Sequence, residues 1–212
     1  MPDAVKPSAR PRTRRARKAA QTRQRILDAA TGLFLERGYA ATTIDAIAER
    51  ADVAVETVYS RFGNKATVVE AILEPAIVGS DDGRDIFDRP EIARIRSITD
   101  HREQIHRLAA FSRGILERTH VGHRILTSAA AADANAAELQ RRDTIRRVTG
   151  QRRYIDMLMA NGPLHLSAED AAVTYSALAN PNTYTLLTRD CGWSADRFQH
   201  WLEKTLVRVL LD

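Results

Sequence analysis

Cysteine occurs once in the 212 residues, as Cys191. A single thiol excludes an internal disulfide and cannot build a thiolate metal site. Glycine and proline are few, strand-like alternation is sparse, and alanine and leucine recur at helical spacing. The fold class expected is therefore all-α. No apolar run approaches the roughly 20 residues that cross a bilayer. No apolar stretch follows the N-terminal charges, as one does in a secretory signal. A soluble, cytoplasmic chain with no membrane partner is expected. A nucleophile motif, a phosphate-binding glycine loop and paired catalytic carboxylates are all missing, so an enzyme reading has no support and no cofactor is expected. Of His101, His106, His120 and His123, only His120 and His123 stand at tight helical spacing. No carboxylate or thiol sits beside them in the sequence, and no metal site is expected.

The charge that is present is uneven. The net charge is +5. Residues 1–25 carry nine basic side chains against Asp3, so the basic excess lies wholly in this stretch. The arm is rich in Pro, Ala and Ser and has almost no large apolar residue, so it cannot offset its chain entropy by burial. Residues 1–21 are expected to be a disordered basic arm that follows phosphates or enters a minor groove. The plainer reading is a solubilising tail.

The most informative stretch is residues 41–65. Thr43 is placed to cap a helix, and Asp45 follows in its first turn, where a carboxylate suits the dipole. Ile44, Ile47, Ala48 and Ala51 form one apolar face. Asp52-Val53-Ala54 breaks the pattern. A second short helix then buries Val58 and Phe62 and leaves Val55, Glu56, Thr57, Tyr59 and Arg61 toward its outer side or its ends. This suits a helix that reads a DNA major groove. Upstream, Gln24 to Gly38 is amphipathic through Ile26, Leu27, Ala30, Leu33 and Phe34. Downstream, Asn64 caps a fourth helix.

Ile26-Leu27-Asp28-Ala29-Ala30, Leu33-Phe34, Gly38-Tyr39, Thr42-Thr43, Ile47-Ala48, Val53, Thr57-Val58-Tyr59, Phe62 and Asn64-Lys65 together resemble the TetR family of bacterial transcriptional regulators. The resemblance covers roughly residues 22–73. It implies phosphate contacts from Thr43, Tyr59 and Lys65, with Val55, Glu56, Thr57 and Arg61 facing the groove. Ala54 departs from a capping serine that is frequent in the family. Glu56 stands where a small residue is frequent. It would accept from a cytosine amino group or pair with Arg61, or else be a solvated first-turn residue.

Residues 74–212 are expected to form a ligand-binding and dimerisation domain. Gly79-Ser80-Asp81-Asp82-Gly83 reads as a loop, and the fourth helix as a lever shared by both halves. Helices are expected over Ser97 to Thr119, Val121 to Ala132 and Asn135 to Asn161, then through Ala179 from a cap at Ser167, and to about Leu211 from a cap at Ser194. Arg141, Arg142, Arg146, Arg147, Arg152 and Arg153 are expected on the outer face of the long helix. The last helix carries Phe198, Trp201, Leu202, Leu206, Val209 and Leu210. In the family, the last two long helices pair as a dimer interface; a monomeric core is the alternative. The resemblance also implies a small-molecule inducer pocket. Phe111, His123, Leu126, Tyr154, Met157, Leu158 and Tyr175 are candidates to line it, and each could equally be core. The function implied is a ligand-responsive repressor that binds palindromic operator DNA as a homodimer. The alternative is a nonspecific architectural DNA binder that uses the arm.

Overall fold

The computed structural model describes residues 10–78 and 86–212. The expected loop at residues 79–83 lies outside them. Ten α-helices account for almost all of the described chain: α1 Arg10–Ala41, α2 Ile44–Arg50, α3 Val55–Phe62, α4 Lys65–Val78, α5 Pro90–Arg96, α6 His101–Ala130, α7 Ala134–Met159, α8 Ala168–Leu178, α9 Pro181–Thr185 and α10 Ala195–Leu210. A 3-10 turn, Ile86–Asp88, precedes α5, and α9 continues into a π-helical turn, Leu186–Asp190. The chain divides into Met1–Val68 and Val69–Asp212. This division falls inside α4, five residues before the expected boundary.

In the first unit, Ile26, Ala30, Leu33, Ile47, Ala48 and Val58 are each at most 1% exposed. With Ile44 and Phe62, also buried, the positions on each helix fall at three- or four-residue spacing (26, 30, 33; 44, 47, 48; 58, 62), so α1, α2 and α3 each turn one apolar stripe to a common core. Gly38 breaks helical geometry at φ 80, ψ 164, a conformation open to glycine at little cost. It marks the expected end of the amphipathic helix. The other end differs from expectation. Residues 10–21 are helical where a disordered arm was expected. Alanine, arginine, lysine and glutamine dominate this segment, and all are strong helix formers. Residues 1–9 lie outside the described chain.

In the second unit, α6 packs with α7, α9 and α10, and α8 packs on α7. Two helices were expected where α6 runs unbroken. Gly122, in its middle, is a close-approach position and not a stop. A Cβ there would stand 2.8 Å from Leu73 Cδ2 of α4, closer than packed atoms come. The expected apolar surface of α10 is mostly internal: Phe198, Leu202, Leu206 and Leu210 are each at most 1% exposed. Ala171, Ala172 and Ala179 are buried as well. The large apolar side chains left exposed near this end are Val173 and Leu186.

Candidate functional site

The turn between α2 and α3 is built by backbone geometry. Val53 N–H donates to Ala48 O at 3.1 Å, and Asp52 N–H to Glu49 O at 3.1 Å. This is a Schellman arrangement. It requires a left-handed residue, and Asp52 supplies it at φ 51. The carbonyls of Ala51 and Asp52, which would otherwise lack partners, accept from the Arg25 guanidinium of α1. Arg50 and Glu36 form a bidentate pair, both contacts at 2.8 Å, that ties α2 to α1. The Arg50 fork holds the Glu36 carboxyl below its ordinary value. The turn is thus clamped from two sides.

On this frame α3 buries Val58 and Phe62 and turns its other side chains outward. Tyr59 is 52% exposed, Glu56 and Arg61 are exposed, and Val55 and Thr57 are half-buried. Ser60, not singled out from the sequence, is exposed too, with its hydroxyl donating to Thr57 O. No side chain caps α3, as Ala54 implied. The expected alternative of a Glu56–Arg61 pair is not formed among the described residues. Five residues along a helix set side chains about 140° apart, so the two face different ways.

Thr43 caps α2, its Oγ accepting from Ala46 N–H at 3.1 Å. The residue is exposed, which leaves the hydroxyl proton able to donate outward. Asn64 caps α4 through Thr67 N–H at 2.9 Å. Lys65 is engaged within the domain. Its ammonium donates to Tyr39 O at 2.8 Å and Thr42 O at 2.7 Å, and lies 4.3 Å from the centre of the Tyr39 ring.

The second unit contains a half-open cavity of about 490 Å³. Three of the seven expected residues line it: His123, Tyr154 and Tyr175. Leu126 and Leu158 do not, being closed in the core at 1% and 0% exposure. Met157 is buried in the same core, and Phe111 packs edge-on to the Tyr154 ring at 6.2 Å. Phe87, Ser112, Ile115, Leu116, Thr119 and Gln151 were not foreseen in the wall. Nor were Arg146, Arg147 and Arg153, which were expected on the outer face of α7 but line the cavity. The phenol of Tyr175 shares a hydrogen bond with Ser112 Oγ, which also bonds Leu108 O. Burial pushes the Tyr175 phenol well above its ordinary value and so keeps it protonated.

Asp143 organises this wall from behind. Its side chain is 2% exposed and lies 3.1 Å from His123 Nε2, 3.0 Å from Arg146 and 3.1 Å from Arg147. Burial alone would raise its carboxyl. The hydrogen bond and charge of His123, with Arg146 and Arg147, outweigh this and hold it at about 2. The carboxylate beside His123 thus comes from α7, not from the neighbouring sequence. The other three histidines considered from the sequence also have structural partners: His101 bonds Leu158 O, His106 bonds Glu203 and His120 bonds Leu116 O. Among the described residues no three His, Cys, Asp or Glu side chains gather as metal ligands, and no helix is long and apolar enough to cross a membrane.

The comparisons agree with this geometry. Residues 26–72 match the family described as "Bacterial regulatory proteins, tetR family". The HTH-type transcriptional regulator YvkB of Bacillus subtilis (strain 168) is 50% identical over 52 residues, which make up 24% of this chain and 28% of that protein. The match therefore spans little more than a quarter of that relative's length. Over most of the chain, the fold is similar to that of NalD, the secondary repressor of the MexAB-OprM multidrug efflux pump in Pseudomonas aeruginosa. The TM-score is 0.66 at 23% identity, covering 92% of this chain and 98% of NalD. A transcriptional regulator from Saccharomonospora viridis in complex with choline gives a TM-score of 0.65 at 22% identity, covering 91% and 99% of the two chains. At such identities these two likenesses speak for the fold alone. The match identifies residues 26–72 as the DNA-binding helices of a TetR-family helix-turn-helix transcriptional regulator, and the helical fold of the chain is similar to that of solved regulators.

Proposed function

We propose that this regulator is a ligand-responsive repressor that binds palindromic operator DNA as a homodimer. The observation that carries the reading is α3: two buried anchors, Val58 and Phe62, behind an exposed polar front. Thr57 and Arg61, one helical turn apart, face base edges, with Val55 and Glu56 at the entry of α3. Tyr59 and Thr43 meet phosphates, and these contacts position without specifying sequence. Lys65 acts mainly by holding the end of α1 against the start of α4, with at most one phosphate contact besides. Arg14, Arg15, Arg17 and Lys18 are exposed on the extension of α1, and this basic stretch adds sequence-independent affinity.

The dimer is expected through the last long helices. Val173 and Leu186, more than half exposed, support such a surface. The cavity of the second unit is taken as the ligand site, and its volume is ordinary for one. NalD is a repressor and the Saccharomonospora viridis regulator holds choline, which favours repression and ligand response here. Ligand binding can shift operator affinity only by its differential affinity for the two states.

A direct test is titration of the chain with its selected duplex and with single-base variants of it, for wild type and Thr57→Ala. The variant is expected to change preference at particular base pairs by about 1–3 kcal/mol. A uniform loss across all duplexes would remove Thr57 from base reading.

A further inference from the structure

The wall of the cavity contains a cluster with surplus positive charge. Arg146 and Arg147 share a single carboxylate, Asp143, at 3.0 and 3.1 Å. Two guanidiniums against one carboxylate leave a net positive charge whether or not His123 is protonated. Arg147 is only 24% exposed at its side chain, so water compensates it poorly. Among the described residues no aspartate or glutamate lines the cavity. The wall also carries the apolar and aromatic side chains of Phe87, Leu116 and Tyr154, with the Arg153 guanidinium 3.7 Å from the centre of the Phe87 ring. One helical turn from Arg147, Gln151 donates to Ala179 O while its buried Oε1 has no hydrogen-bond partner. That atom suits a hydroxyl donor on a bound molecule.

We propose that the cavity takes an amphipathic organic acid: an aromatic ring against the apolar wall, a carboxylate on Arg147 and Arg146, and a hydroxyl toward Gln151. The inference rests on the reading of this cavity as the ligand site. A ligand carboxylate competes with Asp143 for the same guanidiniums, and bidentate geometry favours arginine for that purpose. A quaternary ammonium such as choline would meet like charge here.

The test is calorimetric titration of the full chain, without DNA. The probes are hydroxynaphthoate, naphthoate and decanoate, their amides, and choline. Acids are expected to bind at least about tenfold tighter than their amides, as one charge-assisted hydrogen bond allows, and choline more weakly than either. Arg147→Gln should bring acids down to the level of amides. Arg152→Gln, exposed on the same helix and outside the cavity wall, should leave both unchanged. Thermal unfolding checks each variant; if Arg147→Gln does not fold, Arg146→Gln, whose side chain is 60% exposed, takes its place. Equal binding of acids and amides, tighter binding of choline, or no binding of any acid overturns the proposal. An acid that binds without altering operator affinity upholds the ligand class and refutes the ligand-responsive reading instead. Release of operator DNA by a neutral or cationic compound alone does the reverse.

Discussion

The Lys65 ammonium donates to the Tyr39 carbonyl at 2.8 Å and sits 4.3 Å from the centre of the same residue's ring. A second bond goes to Thr42 O. One cation thus closes the end of α1 onto the start of α4 and fixes the approach to the Thr43 cap. Lys65→Met is expected to cost about 2 kcal/mol of stability, since hydrogen bonds from charged groups contribute about 1.5–3 kcal/mol. The slope of log affinity against log salt should fall by no more than about 1. Urea unfolding and a salt series measure the two effects separately. Unchanged stability with a full unit lost from the slope would make Lys65 a phosphate contact first.

Arg25 should behave as part of the turn. Its guanidinium bridges the carbonyls of Ala51 and Asp52, while its ion pair with exposed Asp52 is long at 3.7 Å and worth little. Arg25→Met is expected to lower stability by about 1 kcal/mol. Arg25→Lys should not restore it, because an ammonium lacks the planar fork. Asp52→Asn, which keeps the left-handed residue and removes only the charge, should be nearly neutral in urea unfolding. A large loss from Asp52→Asn would mean that the ion pair, not the carbonyl clamp, holds the turn.

Asp143 supplies a pH dependence whose sign follows from its depressed carboxyl. A folded-state value of about 2 against an ordinary 3.8 means that the folded state favours the ionised form. The stabilisation is complete above about pH 4 and disappears as pH falls toward 2. A shift of this size corresponds to about 2 kcal/mol. Asp143→Asn should therefore be less stable than wild type by about that amount at pH 7, with the deficit closing below pH 4. Urea unfolding of both proteins across pH 2.5–7 measures it. A deficit that stays constant with pH would assign the loss to packing.

How much of this was readable in advance depended on whether the determinant was local. Thr43, Asn64, Ser167 and Ser194 each cap a helix as expected, because a cap is written within four residues. The buried stripe through Ile26, Ala30 and Leu33 was readable from spacing for the same reason. The partners of Lys65 and Arg25 were not: they are backbone carbonyls 23–27 residues away, and a carbonyl carries no side-chain signature. The pocket implied by the resemblance had His123, Tyr154 and Tyr175 as candidates along with Leu126 and Leu158, and helical spacing does not separate wall from core. It could not say where helices stand apart and leave space. Arg147 shows the opposite failure. Its charge argued for solvent, but Asp143, four residues before it and buried, draws it inward.

Selection of binding sites from random duplex tests the dimeric, sequence-reading regulator most directly. Two copies of α3 related by a twofold axis should meet successive major grooves about 34–36 Å apart, or somewhat more on distorted DNA. The recovered sequences should then be inverted repeats, bound well above random duplex at the same salt. Recovery of a single unpaired half-site would contradict the homodimer. Equal affinity for selected and random DNA would contradict sequence reading by α3 and leave a nonspecific binder that works through its basic N-terminal stretch.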